Sequence, residues 1–171
     1  MAEALAPSSA SPAAALADSA GFLLSKVGAD ISRRYKERLK GLGLDPQHVA
    51  MLRYIASGDG LSQQALADVL QVARSRMVAL VDELEQRNLI ERRRSSSDRR
   101  AYALALTADG QRLLDQAIIV TASFEAELTQ PLDANEREQL INLLRRLAAQ
   151  QDIPLGVHPG LAAQAPSDAR C

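Results

Sequence analysis

Cysteine and aromatic residues are scarce in this chain, and the two shortages restrict how its fold can be stabilised. Of the 171 residues only Cys171 is a cysteine, so no disulfide can form within a single chain. Tryptophan is absent and aromatic residues make up 3% of the sequence, which predicts an aliphatic core. No apolar run approaches the length of about 18 residues that a membrane span requires, so we expect no membrane segment. The two histidines, His48 and His158, have no cysteine cluster beside them, and we therefore expect no metal site and no cofactor.

The sequence also lacks the motifs that mark common enzymes. It has no Gly-rich phosphate loop, no nucleophile elbow and no pair of metal ligands on one helix face. We therefore predict that the chain is not an enzyme. No basic leader precedes an apolar stretch near the N-terminus, so no secretory signal is expected. Together with the shortage of cysteine, this favours a cytoplasmic protein.

Between two predicted flexible tails, the apolar spacing predicts six helices and one β-hairpin. The tails are residues 1–17 and 151–171, which are rich in small residues and proline and have no apolar period. Four helix starts carry capping residues, namely Asp45 with Pro46, Ser62, Thr107, and Asp133 with Glu136. The predicted fold class is therefore mainly α with a small β-hairpin.

The hairpin gathers the positive charge of the chain. From Arg87 to Arg100, six arginines stand against Glu91 and Asp98, a local balance of +4 in a chain whose net charge is −1. From Tyr102 onward the return limb alternates large and small side chains, which is the period of a strand. An otherwise acidic chain that concentrates its arginines in one hairpin is expected to present them to a polyanion.

The third and fourth helices, with a short turn between them and the basic hairpin behind them, predict a winged helix-turn-helix. The fourth helix, which starts near Ala73, would enter the major groove of double-stranded DNA. Contacts are expected from the start of the third helix, the first turn of the fourth and the hairpin. These residues are Ser62, Gln63, Arg74, Ser75, Arg76, Arg93, Arg94, Ser96, Asp98, Arg99 and Arg100. The alternatives are an ordinary capped first turn at Ser62 and Gln63, and a solvated charge run in the hairpin.

At these residues the chain resembles the MarR family of bacterial regulators. The similarity lies in the stretch from Leu66 to Arg92 and in the hairpin, where Asp98 and Arg100 form an Asp-x-Arg signature followed by Leu-x-Leu-Thr. It covers roughly residues 20–148 of the chain. It implies an obligate homodimer built from the terminal helices, a pseudo-palindromic operator, and release by a small ligand.

The resemblance also divides the chain, and three residues depart from the family pattern. The implied parts are a tail at 1–17, a first dimerisation helix at 18–43, a winged helix-turn-helix lobe at 44–107, dimerisation helices at 108–150, and a tail at 151–171. Gln71 and Asn88 stand where glycine is common, and Ala73 stands where serine or threonine is frequent. Asn tolerates the left-handed backbone that such a position requires.

The family resemblance places an effector pocket between the dimerisation helices and the DNA-binding lobe. Its polar candidates on the first two helices are Arg33, Tyr35, His48 and Arg53, which would suit a small anionic or aromatic effector. A partly exposed structural role is the alternative for His48. The redox-sensing branch of the family uses a cysteine in its first helix, and this chain has none there.

The predicted function is a dimeric, ligand-responsive transcriptional regulator, a repressor rather than an activator. Two alternatives remain open. One is a winged helix that binds protein, although such modules tend to lose the arginines that this chain retains. The other is a protein that binds DNA without sequence preference and without an effector.

Overall fold

The computed structural model describes residues 17–58, 60–94 and 102–153. Six helices and one two-stranded antiparallel sheet follow one another along these residues. They are α1 (Ala20–Lys40), α2 (Pro46–Ser57), α3 (Gln63–Val69), α4 (Arg74–Gln86), β1 (Ile90–Arg94), β2 (Tyr102–Leu106), α5 (Ala108–Leu128) and α6 (Ala134–Gln150). The predicted mainly helical fold with one hairpin is confirmed. The predicted tails lie almost wholly outside the described residues.

Local capping starts most of these helices where the sequence predicts. The Ser62 hydroxyl accepts the Ala65 N–H at 3.1 Å, and the Thr107 hydroxyl accepts the Gly110 N–H at 3.0 Å. At the start of α6, Asp133 accepts the amide of the third residue of the helix, and that residue's carboxylate accepts the Asp133 N–H, both at 2.9 Å. These bonds satisfy amides that the first helical turn leaves without partners.

The turn between α3 and α4 depends on a left-handed residue. Gln71 has a φ of 52° and Asn88, which follows α4, has a φ of 56°. Asn88 is therefore left-handed as predicted. Ala73 forms the N-cap of α4 without a side-chain hydrogen bond, because alanine has no acceptor to offer. Leu66, Leu70 and residues of α4 close this corner around a buried aliphatic core.

The hairpin joins the core through its base. β1 pairs antiparallel with β2 in a register that sets Ile90 against Leu106 and Arg94 against Tyr102. The strand predicted from the alternating side chains is confirmed as β2, and Ala103 and Leu104 at its centre are both buried. The Leu104 N–H donates to the Leu61 carbonyl at 2.8 Å, which joins the chain before α3 to this strand.

α5 packs on both α1 and α2, whereas α6 lies apart from the core. Leu114 and Ala117 of α5 are buried. No residue of α6 is buried, although the helix has an apolar face. Within the described ranges, no helix combines the length and the apolar character needed to cross a membrane.

Candidate nucleic-acid interface and effector cleft

The N-terminal half of α4 presents one face to the core and one to solvent. Met77, Leu80, Val81 and Leu84 are buried at helical spacing. Arg74 and Ser75 in the first turn are exposed, and so are Val78 and Ala79 one turn later. Across the described residues, no carboxylate forms an ion pair with Arg74. The predicted contact of Arg74 with a base edge stays a prediction.

Arg76 points in a different direction. Its side chain is partly buried, and its Nη2 donates to Gln47 Oε1 at 2.9 Å. This hydrogen bond joins the first turn of α4 to the first turn of α2. Arg74 and Arg76 lie in the same helical turn, and the sequence therefore predicts the same role for both. Their side chains, however, leave the helix about 160° apart. The role predicted for Arg76 in base contact stays a prediction.

The start of α3 lies beside this surface. Ser62 is the N-cap of α3, which agrees with the alternative of an ordinary capped first turn. Gln63 is partly buried, and its Oε1 accepts a hydrogen bond from Arg92 at 3.2 Å. Gln63, Gln64 and Arg74 stand together around a shallow cleft between α3 and α4. The predicted phosphate contacts of Ser62 and Gln63 remain predictions.

The arginines of β1 have different surroundings. Arg93 is exposed and its Nε donates to Glu91 Oε1 at 2.8 Å, so its charge is partly compensated. Arg94 is exposed, and no ion pair to it is seen among the described residues. The other four predicted hairpin contacts, Ser96, Asp98, Arg99 and Arg100, lie outside the described residues.

Arg92 is turned inward and ties the hairpin to α4. Its guanidinium pairs with Asp82 at 2.7 Å and with Glu85, and it also reaches Gln63. Three acceptors on two helices therefore hold the root of the hairpin. This anchoring role was missed in the sequence, where Arg92 looks like its two neighbours. The signal was the pair of acids three residues apart on the preceding helix.

A cleft lies between α2 and α5, and its use as the predicted effector pocket stays a prediction. It has two adjoining compartments of about 430 and 470 Å³, which share Arg53 and Ile118. Tyr35 and Thr121 line one compartment, and the Tyr35 hydroxyl lies 2.8 Å from Thr121 Oγ1. Arg53 is exposed, and no ion pair to it appears in the described ranges. The cleft thus combines apolar walls with one cation, one carboxylate and four hydroxyl groups, which are those of Arg53, Glu125, Tyr35, Tyr54, Ser57 and Thr121.

The other two effector candidates, Arg33 and His48, lie elsewhere. Arg33 is exposed on α1, pairs with Asp30, and does not line either compartment. The neighbouring Arg34 stacks 5.5 Å from the Phe124 ring and pairs with Glu127, so it fixes α1 on α5.

His48 is buried, and the expectation of a partly exposed histidine is wrong. Its relative exposure is 4%, and its Nδ1 accepts the Asp45 N–H at 3.1 Å. The neutral ring therefore carries its proton on Nε2, which lies 3.3 Å from Glu83 Oε1, although not in hydrogen-bond geometry. Burial lowers the pKa of His48, and the Glu83 carboxylate opposes this only in part. His48 therefore caps α2 and faces α4, not the cleft.

Arg87, at the C-terminal end of α4, holds that end of the helix against the loop before α2. Arg87 Nη2 donates to the Gly43 carbonyl at 2.9 Å and its Nη1 lies 3.6 Å from Glu83. In the described ranges, no group of three or more His, Cys, Asp or Glu side chains could hold a metal ion.

The fold and this geometry define a winged helix-turn-helix protein. The sequence profile of the MarR family matches residues 42–101. A Thauera aromatica protein, named as the transcriptional regulator of the hcr operon, is 39% identical over 108 residues. That match spans 63% of this chain and 65% of the relative, slightly less than two thirds of its length.

Solved structures agree with the profile. The repressor CouR bound to a 23-mer DNA duplex has a TM-score of 0.71 and 29% identity, covering 82% of this chain and 99% of that one. CouR from Rhodococcus jostii bound to p-coumaroyl-CoA has a TM-score of 0.66 and 30% identity, covering 78% and 94%. The chain belongs to the MarR family of transcriptional regulators.

Proposed function

We propose that the chain is a dimeric, ligand-responsive repressor that binds a pseudo-palindromic DNA operator in the cytoplasm. The observation that carries this proposal is the first turn of α4, where Arg74 is exposed and has no ion pair within the described ranges, beside a hairpin whose root Arg92 holds against the same helix. A helix presented in this way fits the major groove, and the hairpin arginines would then lie near phosphates.

The dimer is supported by apolar surface that a single chain leaves exposed. Leu143 and Leu147 on α6 are 53% and 50% exposed, and Phe22 and Val27 on α1 are 42% and 52% exposed. A helix that is apolar on one face but has no buried residue needs a partner for that face. A second copy of the chain would supply it, and it would place two α4 helices about 34 Å apart, one turn of DNA.

The assembly is tested by light scattering with a matched pair of variants on α6. Leu144→Glu places a carboxylate on the apolar face, and Asn142→Glu places one on the opposite face of the same helix. We expect the first to halve the molar mass and the second to leave it unchanged. A wild-type chain that is monomeric at micromolar concentration would contradict the dimer.

The ligand proposal rests on the cleft between α2 and α5. Arg53 gives it a cation for an anionic group, and the apolar walls with Tyr35 suit an aromatic ring. The related CouR is bound to p-coumaroyl-CoA, which supports an aromatic acid or its CoA thioester as the effector class. Because α2 also contacts α4 through Gln47 and Arg76, a ligand that moves α2 would move the DNA-binding surface.

DNA binding is tested with duplex from the chain's own upstream region and with an arbitrary duplex of equal length, over a series of salt concentrations. We expect preference for the upstream duplex, and we expect Arg74→Ala to reduce it. Arg33→Ala on α1 removes the same charge away from α4 and is the control. Equal affinity for both duplexes at every ionic strength would refute the proposal.

The effector is tested by adding p-coumaroyl-CoA and free p-coumarate to the complex with the upstream duplex. We expect one of them to release the DNA, and we expect Arg53→Ala to block release without changing DNA affinity. If Arg53→Ala is released as readily as the wild type, the cleft is not the effector site.

A further inference from the structure

Val78 is an apolar side chain on the solvent face of α4. It is 43% exposed, whereas Met77 before it and Val81 after it are fully buried. It follows Arg74 by four residues, so both side chains lie on one face of the helix, one turn apart. Ala79 beside it is small and exposed.

The surroundings of Val78 combine an apolar wall with a polar rim. The cleft between α3 and α4 has a volume of about 300 Å³, and Ala67, Met77 and Val78 form its apolar lining. Gln63, Gln64 and Arg74 stand at the same cleft. An apolar contact flanked by amides and a guanidinium suits the edge of a base pair, where a methyl group and hydrogen-bonding atoms lie side by side.

We propose that Val78 determines part of the operator sequence by packing against the C5-methyl group of a thymine. This inference rests on the proposed DNA-binding function. Among the four bases only thymine presents a methyl group in the major groove, so an apolar side chain there distinguishes it from cytosine at the same position.

The spacing of the helix adds a second part to the proposal. Side chains four residues apart on a helix are separated by about 5–6 Å, and successive bases of one strand are about 3.4 Å apart. Arg74 prefers guanine. The thymine that Val78 contacts therefore lies one or two base pairs from the guanine that Arg74 contacts. Arg76 takes no part in this pair, since it is bonded to Gln47 on the α2 side of the helix.

The test replaces single thymines of the bound operator with deoxyuridine, which removes the methyl group and leaves every hydrogen-bonding atom in place. For the wild-type chain we expect a loss of affinity of about fourfold per half-site at one thymine, the value for one buried carbon group. For Val78→Ala we expect no further loss at that thymine. This variant should fold normally, because Val78 is exposed and alanine favours a helix.

Val69→Ala is the matched control, since Val69 is also a valine with 43% exposure but lies at the end of α3. It should show the same deoxyuridine profile as the wild type. A profile in which no thymine matters would overturn the role of Val78, and so would an effect that persists in Val78→Ala. A half-site without thymine would do the same. Binding that prefers no duplex at all would instead overturn the proposed function on which this inference depends.

Discussion

Arg92 offers a direct test of whether a hairpin arginine acts on DNA or on the protein. Its side chain is 30% exposed, and it pairs with Asp82 and Glu85, which are 46% and 38% exposed. Pairs with this much solvent contact contribute at most about 1 kcal/mol each. Arg92→Met keeps the apolar stem and removes both pairs, so we expect unfolding in urea to require about 1–2 kcal/mol less free energy.

The same substitution should weaken DNA binding without removing a phosphate contact. The hairpin must be docked on α4 when DNA is bound, and a lost docking energy of about 1–2 kcal/mol per protomer corresponds to an affinity loss of up to about 5- to 30-fold per half-site. The slope of log affinity against log salt should remain that of the wild type, because Arg92 neutralises protein carboxylates and not phosphates.

The measurement is fluorescence anisotropy over a salt series, with Arg92→Met and with a variant that also carries Asp82→Asn and Glu85→Gln. We expect the triple variant to recover part of the affinity, since it no longer leaves two unpaired carboxylates beside the DNA. A salt slope reduced by about one per protomer in Arg92→Met would show that Arg92 contacts a phosphate, and the inward orientation would then be irrelevant to function.

Three further predictions concern the hairpin, the capping histidine and a helix contact. Arg94→Ala should lower the salt slope by about one per protomer, and so by about two for the dimer, as measured by the same anisotropy series, and an unchanged slope would remove it from the DNA surface. Burial lowers the pKa of His48, so the unfolded chain binds its proton more readily, and stability that is complete above about pH 6.5 should fall below it. His48→Gln keeps an acceptor at this position, and urea titrations from pH 7.5 to about 5 should show a shallower loss than in the wild type. Gly110→Ala would place a Cβ 1.8 Å from the Leu89 carbonyl and should cost about 1–3 kcal/mol in thermal unfolding, whereas Gly28→Ala, which meets nothing within 4 Å, should not destabilise the chain.

Features set by neighbouring residues were predictable from the sequence. The starts of α2, α5 and α6 follow from Asp45 with Pro46, from Thr107 and from Asp133, because a cap needs only an acceptor and the next three amides. The left-handed Asn88 follows from the same local chemistry. The order of these elements was enough to predict the winged helix-turn-helix.

Features set by packing between distant elements were not predictable. Arg76 meets Gln47 and Arg92 meets Gln63, in each case across 29 residues, and nothing in the spacing of the arginines indicates it. His48 is buried because the end of α4 covers it, and a single polar residue near a helix start carries no sign of that contact. Tyr35 and Arg53 both line the cleft between α2 and α5, and their role in effector binding stays a prediction.

The apolar face of α6 has a consequence for how the protein behaves on dilution. If association is what covers that face, the free energy of folding includes a term that depends on protomer concentration. Melting temperatures then rise with the amount of protein in the cell or cuvette, and dilution below the dissociation constant of the assembly lowers them. Titrations at trace protein would therefore report assembly and operator affinity together.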